Sequence, residues 1–282
     1  MTIDQVRAYW EARPCNIRHS KVDIDKDPLV YSKQVTARKR FVEPHTLRFV
    51  EFYRWHGKRV LDLGCGIGTD ALEFARYGAS VHAIDISEKS VEIARKRGRV
   101  ERLSGFIKFT VDDIEQMGYG FDKEYYDLAY SFGAIHHTPH PFMAMEAAYY
   151  YLAPGGTFKL MLYHRKSTKV LRILVTNLGK LLQYIVSFEN NCIDQVVALE
   201  SEAQTGCPIT YTFTRKKARQ MLESAGFTIQ EMTVEHIFPY VVEYYKEGQY
   251  IKAFPWNIMP RRLFKWLEHQ IGWHLCITAT KQ

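Results

Sequence analysis

The chain has 282 residues, 46% of them hydrophobic and 14% aromatic, ample for a buried core and inconsistent with intrinsic disorder. Its five cysteines show no C-x-x-C spacing, which argues against a disulfide framework and leads us to expect a reducing, cytoplasmic setting. The formal charge of +7 is compatible with an anionic partner and equally with ordinary solvated lysines.

The opening Met-Thr-Ile-Asp-Gln-Val-Arg carries an acid and no apolar run, so no signal peptide is expected. Residues 1–50 lack strand alternation and are read as an N-terminal helical lid or extension. Asp-Lys-Asp-Pro at 25–28 is a turn, and a helix near 30–54 should break at Glu43-Pro44. From 51 to 163 the pattern alternates as an α/β core does. Strands are expected near 59–63, 80–84, 105–110, 125–131 and 156–163, and helices near 68–77, 88–98 and 139–151. Ser87 should start the second of these helices and Gly98 stop it.

Residues 164–210 read as an inserted cap. The stretch from His164 to Lys180 holds Arg165, Lys166, Lys169, Arg172 and Lys180 and no acid, while Leu171, Leu174, Leu178 and Leu182 fall at helical spacing. Packing of those leucines on the sheet is the preferred reading, with a membrane-surface helix as the alternative. The apolar run from Val170 to Phe188 is interrupted by Arg172 and Lys180, so no transmembrane span is expected. Residues 211–282 complete the core sheet, with a helix at 214–225 and strands at 227–237 and 273–280. There is no internal repeat and no low-complexity segment.

The densest chemical signal is Asp62-Leu63-Gly64-Cys65-Gly66-Ile67-Gly68, at the end of the first strand. Glycine tolerates positive φ and lets a ligand lie against the backbone, and a strand–turn–helix unit places that turn at the carboxyl edge of the sheet. The next apolar run ends in Asp85, at a distance suited to a carboxylate that takes both ribose hydroxyls. Backbone N–H groups at the helix start suit a carboxylate.

This G-x-G-x-G spelling, with an aspartate two residues before it, resembles the class I S-adenosylmethionine-dependent methyltransferases. The resemblance continues through Asp85, Asp112-Asp113, Asp127-Leu128-Ala129-Tyr130-Ser131 and Leu152-Ala153-Pro154-Gly155-Gly156-Thr157. It implies a doubly wound, seven-stranded, mostly parallel Rossmann-like sheet, and S-adenosylmethionine as cofactor. It also implies that Asp62 accepts from the cofactor's ammonium and that Asp113, with Asp112 as the register alternative, binds adenine between Ile86 and Ile114. Gly64, Cys65, Gly66, Gly68 and Ser131 carry over as further cofactor contacts.

The loop Ser131 to His140 follows the fourth strand, and similar paired histidines occur there in many small-molecule methyltransferases. His136, His137 and Tyr163 are therefore the catalytic candidates, since imidazole titrates near neutrality. Tyr9, Arg18, His19, His164, Gln204 and Tyr211 are the substrate-binding candidates, with Arg18 and His19 offering charge to an anionic substrate. No C-x-x-C or H-E-x-x-H accompanies the histidines, so no metal is expected. His236 and His274, in strands, are read first as core residues.

The expected activity is methyl transfer to a small or carrier-linked metabolite. RNA or protein methylation is an alternative resting on the basic charge, but no RNA-binding module or Asn/Asp-Pro-Pro-Tyr tetrapeptide supports it, so nucleic acid is the less favoured partner. A lipid-linked acceptor at a membrane surface is another alternative. An NAD-dependent oxidoreductase would need the other glycine spacing, G-x-G-x-x-G. A binding-only protein is disfavoured by His136, His137 and Tyr163. Oligomeric state and acceptor atom are left open.

Overall fold

The computed structural model describes residues 2–118, 120–187, 191–200 and 207–282. Seven strands form one sheet: β1 (Arg59–Leu63), β2 (Ser80–Asp85), β3 (Ile107–Val111), β4 (Tyr126–Phe132), β5 (Leu152–Tyr163), β6 (Phe227–Glu235) and β7 (His274–Lys281). Their spatial order is β3-β2-β1-β4-β5-β7-β6. The first five run parallel, and β7 is antiparallel to both neighbours. β1 is an almost unbroken buried run because helices cover both faces of a parallel sheet.

Twelve helices surround the sheet among the described residues: α1 (Ile3–Ala12), α2 (Pro28–Val42), α3 (His45–Val50), α4 (Thr69–Arg76), α5 (Glu88–Val100), α6 (Pro141–Tyr151), α7 (Thr168–Thr176), α8 (Leu178–Val186), α9 (Cys192–Ala198), α10 (Arg215–Ser224), α11 (Val242–Lys246) and α12 (Arg261–Ile271). Ser87, Ser167 and Thr214 cap α5, α7 and α10 by accepting from backbone N–H groups three residues on. On one face of the sheet, Leu61, Leu63, Leu160 and Leu162 pack against Met145 of α6 and Leu222 of α10. On the other, Val60, Leu128 and Tyr130 pack against Leu72 and Phe74 of α4 and Val91 of α5. The two-residue alternation along each strand sorts these layers.

The switch point of the strand order lies between β1 and β4, so the carboxyl ends of β1, β2 and β4 open one crevice there. Buried Arg97 of α5 braces the crevice floor. It donates to Ile67 O at 2.6 Å, Thr69 Oγ1 at 2.8 Å and Ser32 Oγ at 2.8 Å, tying the glycine turn to α2.

Several expectations need correction. Gly98 does not stop α5; it is buried within the helix, facing Phe109 and Leu72 with room for ordinary contact. The cap is not one helix on the sheet. α7 and α8 break at Asn177, and Val170 and Ile173 make the buried contact. Leu171, Leu178 and Leu182 are exposed, joined by Val175, Ile185 and Val186. Of the four leucines at helical spacing, Leu174 packs inward beside Val170 and Ile173 and the other three lie on the outward face. α9, α11 and α12 were not foreseen. Among the described residues, no helix is long and apolar enough to cross a membrane.

Candidate active site

The crevice is an open cavity of about 1280 Å³, solvent mouth included.

Its floor is the β1–α4 turn. Gly64 takes φ +82°, and a Cβ there would stand 2.0 Å from the Cβ of Ala134, so only glycine lets the β4 loop close on the turn. At Gly66 a Cβ would meet nothing within 4 Å, which leaves open space above the backbone. Gly66 N–H instead donates to Asp85 Oδ2 at 2.7 Å, and Ser87 N–H to Asp85 Oδ1 at 3.0 Å. Each carboxylate oxygen keeps a second lone pair for a diol. Burial raises the Asp85 pKa despite these two donors.

Asp62 is more telling. It is buried in the pocket wall, and its Oδ2 accepts no hydrogen bond among the described residues. Burial first, then the nearby Asp70 and Asp85 carboxylates, push its pKa well above the ordinary value, with Lys39 opposing. An unmet buried acceptor of this kind suits a cationic donor. An ammonium, a diol and a planar base match Asp62, Asp85 and the Ile86–Asp113–Ile114 wall in turn, so these residues fit S-adenosylmethionine.

Of the expected cofactor contacts, Asp62, Gly64, Cys65, Gly66, Asp85, Ile86, Asp113 and Ile114 line the cavity. Asp112, Gly68 and Ser131 do not. Asp112 turns away to accept from Asp113 N–H and Gly118 N–H. Gly68 packs on Ala94 and Phe109, and Ser131 Oγ donates to Leu63 O at 2.9 Å.

The two histidines separate. His137 lines the cavity, while His136 is fully buried, its ring 3.7 Å from that of Tyr163. His137 Nδ1 lies 2.9 Å from Ile209 O, and a carbonyl only accepts, so Nδ1 carries the proton and Nε2 is the basic nitrogen. Burial holds His136 neutral, its pKa well below the ordinary value. Tyr163 lines the cavity and stacks on Trp273 at 4.0 Å.

The substrate candidates fall elsewhere. Trp10, not Tyr9, faces the cavity, meeting His137 edge to face at 5.3 Å. Tyr9 is buried behind it. Arg18 is exposed and does not line the cavity. His19 lies near Tyr245 with its pKa lowered to about 3, chiefly by burial, and so brings no charge at neutral pH. His164 is buried against Gly272 O, and the Tyr211 hydroxyl points to Pro139 O. Gln204 lies outside the described residues.

Two sets of wall residues were not among the candidates. α1 forms one wall through Ile3, Val6 and Trp10, held by Glu11, which accepts from Ser87 Oγ at 2.8 Å and from Lys89 N–H. α2 contributes Lys39, paired with Asp70 at 2.7 Å. Asp70 also receives Arg40 and the Tyr130 hydroxyl, both at 2.8 Å, and these cations hold its carboxyl below the ordinary range against burial. Glu43 and His274 line the same side. Nothing local in sequence marks these residues, because helix and strand periodicities do not say which distant element a polar residue will face.

Residues 60–156 match the family model described as a methyltransferase domain. The chain is 34% identical over 101 residues to a ubiquinone biosynthesis O-methyltransferase of Shewanella, covering 36% of this chain and 41% of that protein. It is also 34% identical over 101 residues to methyltransferase GfsG of Streptomyces halstedii, covering 36% of each. The chain thus matches less than half the length of these curated relatives. Among solved structures, magnesium protoporphyrin IX methyltransferase from Synechocystis, with bound SAM, superposes with TM-score 0.57 at 15% identity, over 100% of this chain and 99% of that one. The [4+2]-cyclase SpnF superposes equally well, TM-score 0.57 at 20% identity, over 99% and 92%. At these identities the likeness shows the fold, and a cyclase among the neighbours separates fold from reaction.

Proposed function

We propose that the chain, whose residues 60–156 match a methyltransferase domain, is a class I S-adenosylmethionine-dependent enzyme that transfers a methyl group to a small or carrier-linked acceptor. The observation that carries this reading is the buried Asp62 carboxylate, with its unmet oxygen, beside Asp85 on an open glycine turn. When bound, S-adenosylmethionine would supply an electrophilic methyl for an acceptor's lone pair, its sulfur taking back the bonding pair.

The chain's own residues then do three things. Asp62 and Asp85 would hold the ammonium and the ribose hydroxyls, positioning the cofactor. Ile3, Val6 and Trp10 wall the reacting centre from water. His137 Nε2 takes the acceptor's proton where the acceptor is a hydroxyl, since its Nδ1–H is committed to Ile209 O.

Calorimetry tests the cofactor assignment. S-adenosylhomocysteine should bind the full chain and NAD should not. Asp85→Ala should weaken S-adenosylhomocysteine by roughly ten- to a hundredfold or slightly more, the loss of charge-assisted hydrogen bonding at about 1.5–3 kcal/mol. Preferential binding of NAD would overturn the assignment.

The outward apolar face of α7 and α8 favours a second reading, in which the acceptor is lipid-linked and met at an anionic membrane surface.

A further inference from the structure

We propose that Glu43, His236 and His274 form a site for a divalent first-row transition-metal ion in the wall of the cavity. One donor atom from each residue lies within 4.8 Å of the other two. Ions of this class hold nitrogen and oxygen donors at about 2.0–2.2 Å, so donors around one ion stand roughly 3–4 Å apart. Binding requires a side-chain rotation that closes the remaining gap.

Three separate elements converge to make this cluster. Glu43 ends α2 at the Pro44 break, His236 follows β6, and His274 begins β7. Glu235 and His274 are register partners across β6 and β7, which brings His236 beside His274, their rings stacked at 4.5 Å. His236 takes φ +68°, a left-handed backbone that a non-glycine residue adopts at a cost.

A fourth residue supports the set. His45 Nε2 lies 3.0 Å from His274 Nδ1, a hydrogen bond that fixes ring orientation and tautomer, as partners behind metal-bound histidines do. Two imidazoles and one carboxylate select zinc, iron, cobalt or manganese over calcium or magnesium, which prefer all-oxygen shells.

Glu43 and His274 line the cavity, so the ion's remaining positions face the space where an acceptor would lie. Tyr163 stands between the two candidate centres, its ring 5.5 Å from that of His137 and 6.4 Å from that of His274. Resting on the methyl-transfer reading above, the ion would hold an acceptor through an oxygen donor, favouring substrates with an ionisable hydroxyl or adjacent oxygens.

The test uses the full chain, stripped with chelator and titrated with cobalt(II) in the absence of cofactor. We expect one equivalent bound, with visible ligand-field absorption. Glu43→Gln and His236→Gln should each weaken binding by about tenfold or more. Circular dichroism and S-adenosylhomocysteine calorimetry on each variant report whether the chain is folded and whether the cofactor reading stands, independently of the metal. X-ray absorption of the zinc-loaded wild-type chain should show two imidazoles and oxygen, so the proposal is testable even where a histidine variant does not fold. No saturable cobalt binding up to about 1 mM, unchanged binding in Glu43→Gln, or sulfur in the ligand shell would overturn it.

Discussion

Asp62 concentrates a conflict between stability and binding in one side chain. Its carboxyl is buried, and its folded-state pKa stands well above the ordinary 3.8. For a raised carboxyl, stability present below the unfolded value is lost as pH rises through the folded one. The ionised form therefore strains the ligand-free chain, and a cationic ligand relieves it. Asp62→Asn should raise the melting temperature of the ligand-free chain at pH 7 and weaken S-adenosylhomocysteine by roughly ten- to a hundredfold. A lower melting temperature with unchanged affinity would contradict this. The neighbouring histidines make a paired case. His137→Ala should cut turnover by roughly 10²–10⁴ while cofactor affinity holds. His136→Ala should instead lose about 2–4 kcal/mol of stability as a cavity opens beneath Tyr163. Urea unfolding and turnover measured on both variants would separate the roles, and the reverse pattern would exchange them. Sequence alone puts His136 slightly ahead of His137, whereas His137 lines the cavity and His136 is buried, because one turn of loop decides which faces it.

At the scale of elements, α7 and α8 carry the clearest surprise. Leucines at helical spacing fit either face of a helix, and only the buried pair Val170 and Ile173 reveals which side meets the sheet. The outward face presents Leu171, Val175, Leu178, Leu182, Ile185 and Val186, flanked by Arg172 and Lys180. An apolar stripe with basic flanks suits an anionic bilayer surface, where each buried methylene contributes about 0.8 kcal/mol. Flotation with anionic liposomes should carry the chain upward, and Leu178→Glu with Leu182→Glu should abolish it. No flotation of the wild-type chain would end the membrane reading. α1 shows the converse. Its apolar residues looked like a surface helix with an equal claim to be a lid, and the Glu11 contacts to Ser87 and Lys89 tie it over the cavity mouth.

Across the whole molecule, the central sheet was legible because buried parallel strands are continuous apolar runs ending in glycine turns or acids. Ser80–Asp85 and Arg59–Leu63 read directly in this way. The part of the cavity proposed to hold the cofactor was legible for the same reason, since Asp62, Gly66 and Asp85 sit at strand ends whose spacing is local. The acceptor half was not. Lys39, Glu43, Trp10 and His274 reach the cavity from elements far apart in sequence, and no periodicity encodes that convergence. The tail from Val242 to Ile271 likewise folds into two helices that strand alternation on either side did not announce.

The most direct test of methyl transfer to a small acceptor incubates the full chain with methyl-labelled S-adenosylmethionine and an extract of the source cells, then fractionates the products. Label should appear in the low-mass fraction, or with lipid where the membrane reading holds, and should fall away in Asp85→Ala. Label confined to RNA or protein, or no label in any fraction while S-adenosylhomocysteine still binds, would contradict it.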